Sequence, residues 1–227
     1  MKRNRPEAGL TNPAVSKTYY PVFLDLRGRR AVVVGGGGVA ERKILSLLKA
    51  GADVTVISPE ITPKIEREKL KGCLTHIGRR YRNRDLRDAF LVIAATDSLP
   101  TNEKVSRDAP CLVNVVDTPQ LCNFIVPSSM KRGPLTIAVS TCGVSPALSR
   151  SLRKELEGEY GVDFARYLEL LRRVRAEAME AIRDQKKRSR FLKALASDRM
   201  LRTLREEGLE KTEQAVEALF KRAKKSP

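Results

Sequence analysis

Residues Ala31 to Arg42 read AVVVGGGGVAER, and this stretch decides the fold. Three β-branched residues, Val32 to Val34, run into four glycines, and Val39-Ala40 opens a segment with helical spacing. The expected path is strand, tight turn, helix. Gly35, Gly37 and Ala40 fit G-x-G-x-x-G/A, in which each small residue has a steric task. Gly35 turns the chain off the strand, Gly37 admits a pyrophosphate to the backbone, and Ala40 lets helix and strand pack closely. The amides that open the helix, with the positive end of its dipole behind them, suit a phosphate anion. A glycine-rich turn with no ligand is the competing reading, and the strand before and helix after favour a dinucleotide site.

The next strand, Asp53 to Ser58, ends about 20 residues past the glycine turn, where a ribose-binding acid sits in such folds. That place holds Ser58-Pro59-Glu60. The Ser58 hydroxyl or the Glu60 carboxylate suits a ribose, and no arginine stands directly there to receive a 2′-phosphate. NAD is therefore expected over NADP.

Outward from this centre, Tyr20 to Leu26 is a short apolar run expected as an edge strand, and residues 1–18 are a polar, basic tail. Ile44, Leu47 and Leu48 continue the first helix to a stop at Gly51. Thr62-Pro63 reads as a cap and first helical residue, and Leu74 to Ile77 as a strand. Phe90 to Ala95 and Leu112 to Val116 are apolar throughout, as strands buried on both faces are. Alternating strands and helices imply a parallel sheet with ligands beyond the carboxyl ends of its strands. Asp97 and Asp117 both fall at such ends; for Asp97 a cap or loop hydrogen bond is the simpler role.

Leu135 to Val139 is one more strand, and Ser145-Pro146 starts a helix on which Leu148, Leu152 and Leu156 share a face. The loop Ser140 to Ser145 has two readings, a capped helix alone or a second anion site for a substrate carboxylate. A long amphipathic helix follows from Phe164 to Ile182, then two shorter helices near 191–196 and 213–224. The basic block Lys186 to Arg190 reads as a solvated helix end.

The formal net charge of +17 calls for an acidic partner or reflects a basic proteome. The charge is spread along the chain, aromatic residues make up 5%, and no recognition motif interleaves with the cations, so nucleic acid is not expected. No apolar run approaches a membrane span and no apolar segment follows the basic start, so a cytoplasmic protein away from membranes is expected. Cys73, Cys111, Cys122 and Cys142 form no CxxC pair and read as free thiols. His76, the one histidine, has no carboxylate or cysteine at ligand spacing. It reads as structural, and no metal site is expected.

Several stretches together resemble one family. They are V-G-G-G-x-V-A-x-R-K at Val34 to Lys43, S-P-E at Ser58 to Glu60, A-A-T-D at Ala94 to Asp97, and N-V-x-D at Asn114 to Asp117. F-x-x-P at Phe124 to Pro127 belongs with them, and S-x-x-G-x-S-P at Ser140 to Pro146 nearly does. From Tyr20 onward the chain is similar to the precorrin-2 dehydrogenases, which also form the front part of multifunctional siroheme synthases. The resemblance implies NAD as cofactor and a tetrapyrrole polycarboxylate as substrate, oxidised to sirohydrochlorin, which would account for a basic protein without nucleic acid. It implies an α/β fold in order: a Rossmann domain over 19–117, a dimerisation region over 118–148 and an all-helical domain over 149–227, in a homodimer.

By motif, Gly35, Gly37, Gly38, Val39, Ala40, Ser58, Pro59, Glu60 and Thr96 would hold the cofactor. Ser140, Thr141, Gly143 and Ser145 would face the substrate, and Asp117 would be the catalytic aspartate, either taking a proton or orienting the ring through its pyrrole N–H groups. The family often has Ser-Gly-Gly where this chain has Thr141-Cys142-Gly143. Some members also insert iron with the same aspartate.

Overall fold

The computed structural model describes residues 18–225, which divide into two compact units between Val126 and Pro127. Apart from Thr18, the expected tail over 1–18 lies outside the described residues.

In the first unit the valines of Ala31 to Val34 form the middle of β1 (Arg30–Val34). In order follow α1 (Gly38–Lys49), β2 (Asp53–Ile57), α2 (Pro63–Leu70), β3 (Leu74–Ile77), β4 (Leu91–Ala94), α3 (Leu99–Asp108) and β5 (Leu112–Val115). The five strands form one parallel sheet in the order β3-β2-β1-β4-β5. Both faces are covered. Ala31 and Val33 point into a core with Ala40, Ile44 and Leu47 of α1, whereas Val32 and Val34 join Leu86, Val92, Val105 and Val115 on the other side. That is why the strands are apolar at every position rather than at every second one. The strand order reverses between β1 and β4, and the register sets Val34 beside both Ile57 and Ala94. The crevice for a ligand therefore opens past these three residues.

Tyr20 to Leu26 is not a strand. Tyr20 and Phe23 are exposed and only Leu26 is buried, while Arg27 folds back on Asp25 and Arg29 N–H donates to the Leu26 carbonyl. These bonds turn the chain at the place where an edge strand would have to pair, and Pro21 removes a ladder donor.

The second unit opens with a hairpin, β6 (Ser128–Arg132) antiparallel to β7 (Leu135–Val139), closed at Gly133-Pro134 with Gly133 at φ 54°. Five helices follow: α4 (Pro146–Glu159), α5 (Val162–Ala181), α6 (Gln185–Leu195), α7 (Asp198–Glu206) and α8 (Gly208–Lys225). Phe164, Tyr167, Val174, Phe191, Leu195, Met200 and Val216 form their core, and the buried Tyr167 hydroxyl donates to the Leu195 carbonyl at 2.5 Å. Three helices thus follow α5 where two are expected from sequence, and Lys186 to Arg190 lies in the opening turns of α6. Among the described residues no helix is long and apolar enough to cross a membrane.

Candidate functional site

Gly35 follows β1 at φ 121°, and a Cβ there would stand 2.2 Å from the Ala95 carbonyl oxygen. Only glycine fits that turn. A Cβ on Gly37 or Gly38 would meet nothing within 4 Å, so the outer side of the turn is clear for a ligand. Gly37 is the N-cap of α1 and supplies no side chain to its amides, whereas Thr62, Ser98 and Ser145 cap α2, α3 and α4. The opening amides of α1 are thus free of a side-chain cap where a pyrophosphate would approach. Ala40 is fully buried on the sheet, and Val39 is 37% exposed at the lip of the cradle.

The segment after β2 is fastened to this turn. Thr62 N–H donates to the Gly36 carbonyl at 3.1 Å, and the Thr62 hydroxyl donates to Glu41 Oε2 at 2.7 Å. That bond, with Lys64 at 3.4 Å from the same carboxylate, holds Glu41 below its ordinary range against some desolvation. Ser58 is half-buried at the turn, and Pro59 and Glu60 are exposed. His76 is structural: its Nε2 lies 2.9 Å from the Ser58 carbonyl oxygen and steadies the end of β2.

Past β4, Thr96 is held by Asn102, which is 6% exposed on α3. The Asn102 Oδ1 accepts from the Thr96 hydroxyl at 2.7 Å and from its N–H at 3.2 Å, and Nδ2 donates to the Thr96 carbonyl at 2.9 Å. Asp97 does not cap α3; Ser98, one residue on, accepts the Thr101 N–H.

Asp117 stands just past β5 at φ 59°, a left-handed conformation that aspartate tolerates better than most residues. The surroundings determine that turn closely. Val116 N–H bonds the Ala94 carbonyl, and the buried Cys122 accepts the Val115 N–H at 3.1 Å. Asn123 Oδ1 accepts the Val113 N–H at 2.7 Å, and Asn114 Nδ2 donates to the Phe124 carbonyl at 3.1 Å.

In the second unit Ser140, Thr141, Gly143 and Ser145 form one tight loop. Ser145 N–H donates to Thr141 Oγ1 at 2.9 Å, Cys142 N–H to Ser140 Oγ at 3.0 Å, and Leu148 N–H to Ser145 Oγ at 3.2 Å. Ser145 is therefore the helix cap. Gly143 lies at φ 90° with nothing within 4 Å of a Cβ. Asp117 and this loop belong to different units.

Sequence reasoning passed over Gly36, Asn102 and Cys122. A Cβ on Gly36 would collide with the Glu60 carbonyl oxygen at 2.1 Å and with Ser58 Oγ at 2.9 Å, a contact between segments that no local pattern announces. Asn102 left a faint signal, a polar residue three before Val105 on the buried side of α3. Among the described residues no three His, Cys, Asp or Glu side chains gather to hold a metal ion.

The cradle, the strand order and the fastened loop after β2 define a Rossmann dinucleotide-binding protein. Residues 22–128 match the family model described as "Putative NAD(P)-binding", and residues 132–159 match "Sirohaem biosynthesis protein central". The siroheme synthase of Methylobacillus flagellatus is 48% identical over 140 residues, 60% of this chain and 30% of that protein. That of Sodalis glossinidius is 38% identical over 202 residues, 88% of this chain and 43% of that one. The chain thus spans less than half the length of these relatives. A solved structure described as SirC, precorrin-2 dehydrogenase, superposes with a TM-score of 0.76 at 28% identity, covering 88% of this chain and all of that one. The chain is a homologue of the siroheme synthases and shares the fold of SirC.

Proposed function

We propose that this protein is an NAD-dependent dehydrogenase that oxidises precorrin-2 to sirohydrochlorin in siroheme synthesis. The observation that carries the reading is the match over the whole of SirC by a chain that keeps both the bare glycine cradle and an aspartate at the end of β5.

NAD, when bound, supplies the hydride acceptor. The opening amides of α1 bind its pyrophosphate, and Ser58, Pro59 and Glu60 meet the adenine-side ribose. Thr96, stiffened by Asn102, lines the crevice past β4. The oxidation removes two hydrogens from the reduced macrocycle, one as hydride and the other as a proton. The Asp117 carboxylate receives that proton and returns it to solvent. A fixed turn serves this role, because a carboxylate displaced by an ångström loses its proton-transfer geometry.

We further infer that Ser140, Thr141, Gly143 and Ser145 contact the substrate, and that two chains pair as a homodimer. Val144, Leu148 and Leu152 support this: they are 84%, 50% and 37% exposed along one side of α4 and its cap, an apolar stripe suited to a second copy. The protein acts in the cytoplasm, where its four free cysteines stay reduced.

The test is a spectral assay of the purified protein with precorrin-2 and NAD. Appearance of the sirohydrochlorin chromophore is expected, and its absence with folded, NADH-binding protein overturns the reading. Adding ferrous iron to the same cuvette reads chelation separately.

A further inference from the structure

Strand β5 is the last strand of its sheet, so the N–H and C=O groups on its outer side have no neighbouring strand to bond. The chain that follows takes that place. A short turn, Pro119–Leu121, brings residues 122–124 back along β5, and its Leu121 carbonyl accepts the Ser106 hydroxyl of α3 at 2.7 Å. Asn123 then serves Val113: its Oδ1 accepts the Val113 N–H at 2.7 Å, and its own N–H donates to the Val113 carbonyl at 3.0 Å. The same edge carries Val115, two residues before Asp117, and there the bonding group is the thiol of Cys122.

Cys122 is buried and packs with Val32, Val92, Val113 and Val115. Its sulfur accepts the Val115 N–H at 3.1 Å and an Asn114 Nδ2–H at 3.6 Å. Its one hydrogen faces two carbonyl oxygens, that of Val115 at 3.3 Å and that of Thr118 at 3.4 Å. The thiol therefore holds the chain on both sides of Asp117, two residues before it and one after it. An aliphatic side chain of similar size would satisfy the packing and none of these contacts. Among the described residues the Asp117 carboxylate itself takes no hydrogen bond or ion pair, so its place rests on its backbone, held at φ 59°.

We propose that Cys122 is a positioning residue for the oxidation: by holding Val115 and Thr118, its thiol fixes the left-handed turn that aims the Asp117 carboxylate at the substrate. The inference rests on the function proposed above and names the residue through which the reacting carboxylate keeps its place. Thiol hydrogen bonds are individually weak, so their loss loosens one turn rather than unfolding the unit. Proton transfer is far more sensitive than the fold to such loosening, because a misplacement of about an ångström costs on the order of a hundredfold in rate. Cys122 stays a thiol throughout and exchanges no proton with the substrate.

The test uses Cys122→Ala, Cys122→Val and Cys122→Ser, each alone and combined with Asp117→Asn. Melting temperature, NADH affinity by fluorescence, and kcat and KM with precorrin-2 at saturating NAD are measured for all. For Cys122→Ala and Cys122→Val, kcat should fall by about tenfold or more, with KM changing less than kcat and NADH affinity unchanged. Cys122→Ser, which keeps a donor and an acceptor, should recover most of the loss. In the Asp117→Asn background the same substitutions should cost less than about twofold, since no carboxylate is left to aim. Cys122→Val keeps the volume filled and carries the test should Cys122→Ala leave a void that unfolds the unit. A melting temperature that falls while kcat holds overturns the inference, and so does a loss of kcat by the same factor with and without Asp117. Turnover in Cys122→Ser as poor as in Cys122→Val, or normal turnover in Asp117→Asn, overturns it too. A wild-type protein that does not oxidise precorrin-2 fails the proposed function and this inference with it. One that does, while Cys122→Ala and Cys122→Val keep the wild-type kcat, fails this inference alone.

Discussion

The α-carbon of Gly36 is turned toward Glu60 so closely that a Cβ would lie 2.1 Å from the Glu60 carbonyl oxygen. The next residue, Gly37, has no heavy atom within 4 Å of the same position. Neighbouring glycines therefore do opposite things: one lets two segments of the protein touch, and the other keeps space for a ligand.

Substitutions at the two should separate. Gly36→Ala forces the loop Ser58 to Thr62 away from α1, and overpacking of this kind costs about 1–3 kcal/mol. It should lower the denaturation midpoint and weaken NADH binding together. Gly37→Val should keep the midpoint and abolish NADH binding, because the branched side chain points into open space that the pyrophosphate needs. Urea melts with NADH titrations of both variants check this; a Gly37→Val protein with normal affinity would exclude the cradle as the dinucleotide site.

On the proposed reading, the exposed carboxylate of Glu60 beside the half-buried Ser58 would set the choice of cofactor. A 2′-phosphate placed there meets a like charge, so NAD should be used more efficiently than NADP. Glu60→Gln should narrow the gap by improving NADP and leaving NAD within about threefold, since a screened surface repulsion is worth less than 1 kcal/mol. Initial rates with each cofactor measure both effects.

Acid should loosen the first unit through Asp85. This carboxylate is 6% exposed and takes two bonds from Arg79, at 2.7 and 2.8 Å, and one from the Arg82 N–H at 2.7 Å. The Arg79 guanidinium, more than the Arg82 amide, holds it below the usual carboxylate range. A lowered folded-state pKa means that the stabilisation is fully present above the unfolded value and is lost as pH falls through the folded one. Stability should thus decline on acidification below about pH 4, the ordinary aspartate value. Asp85→Asn should already be destabilised at pH 7 by about 1–3 kcal/mol, with the difference from wild type shrinking in acid. Denaturant melts across pH read the two curves, and parallel curves would remove Asp85 from the acid response.

How much of this was legible in the sequence follows from where the information lay. β1, its glycine turn and α1 are specified by twelve consecutive residues, and β2, β4 and β5 announce themselves as short β-branched runs. Thr62-Pro63 and Ser145-Pro146 mark their helix starts in two letters each. β6 escaped because SSMKR buries only Met130 and has no apolar alternation to read. α7 escaped because it is nine residues long and lies between two other helices with only Met200 and Leu204 buried. Tyr20 to Leu26 misled in the other direction, since an apolar run becomes a strand only where an edge accepts it. The roles of Gly36 and Asn102 come from contacts across the fold, each with a partner at least six residues away in the chain, which local spacing does not encode.

Asp117 poses the sharpest test because its backbone is as unusual as its position. At φ 59° an alanine would pay for the left-handed conformation as well as lose the carboxylate, so Asp117→Ala alone would confound strain with chemistry. Asparagine tolerates that conformation and keeps the shape of the side chain while giving up its basicity. Asp117→Asn should therefore fold with the wild-type melting temperature and bind NADH normally, since the cradle of α1 is untouched. If the carboxylate takes the proton released on oxidation, turnover should fall about 100-fold or more, the ordinary loss when an acid–base group is removed. If Asp117 only orients the ring, the amide can still hydrogen-bond it through its carbonyl oxygen, and kcat should drop by much less while KM for precorrin-2 rises. Stopped-flow oxidation of precorrin-2 at saturating NAD, with KM measured alongside, separates the two roles. Near-normal kcat and KM in Asp117→Asn would take this residue out of the reaction and move the search to Asp97, at the end of β4.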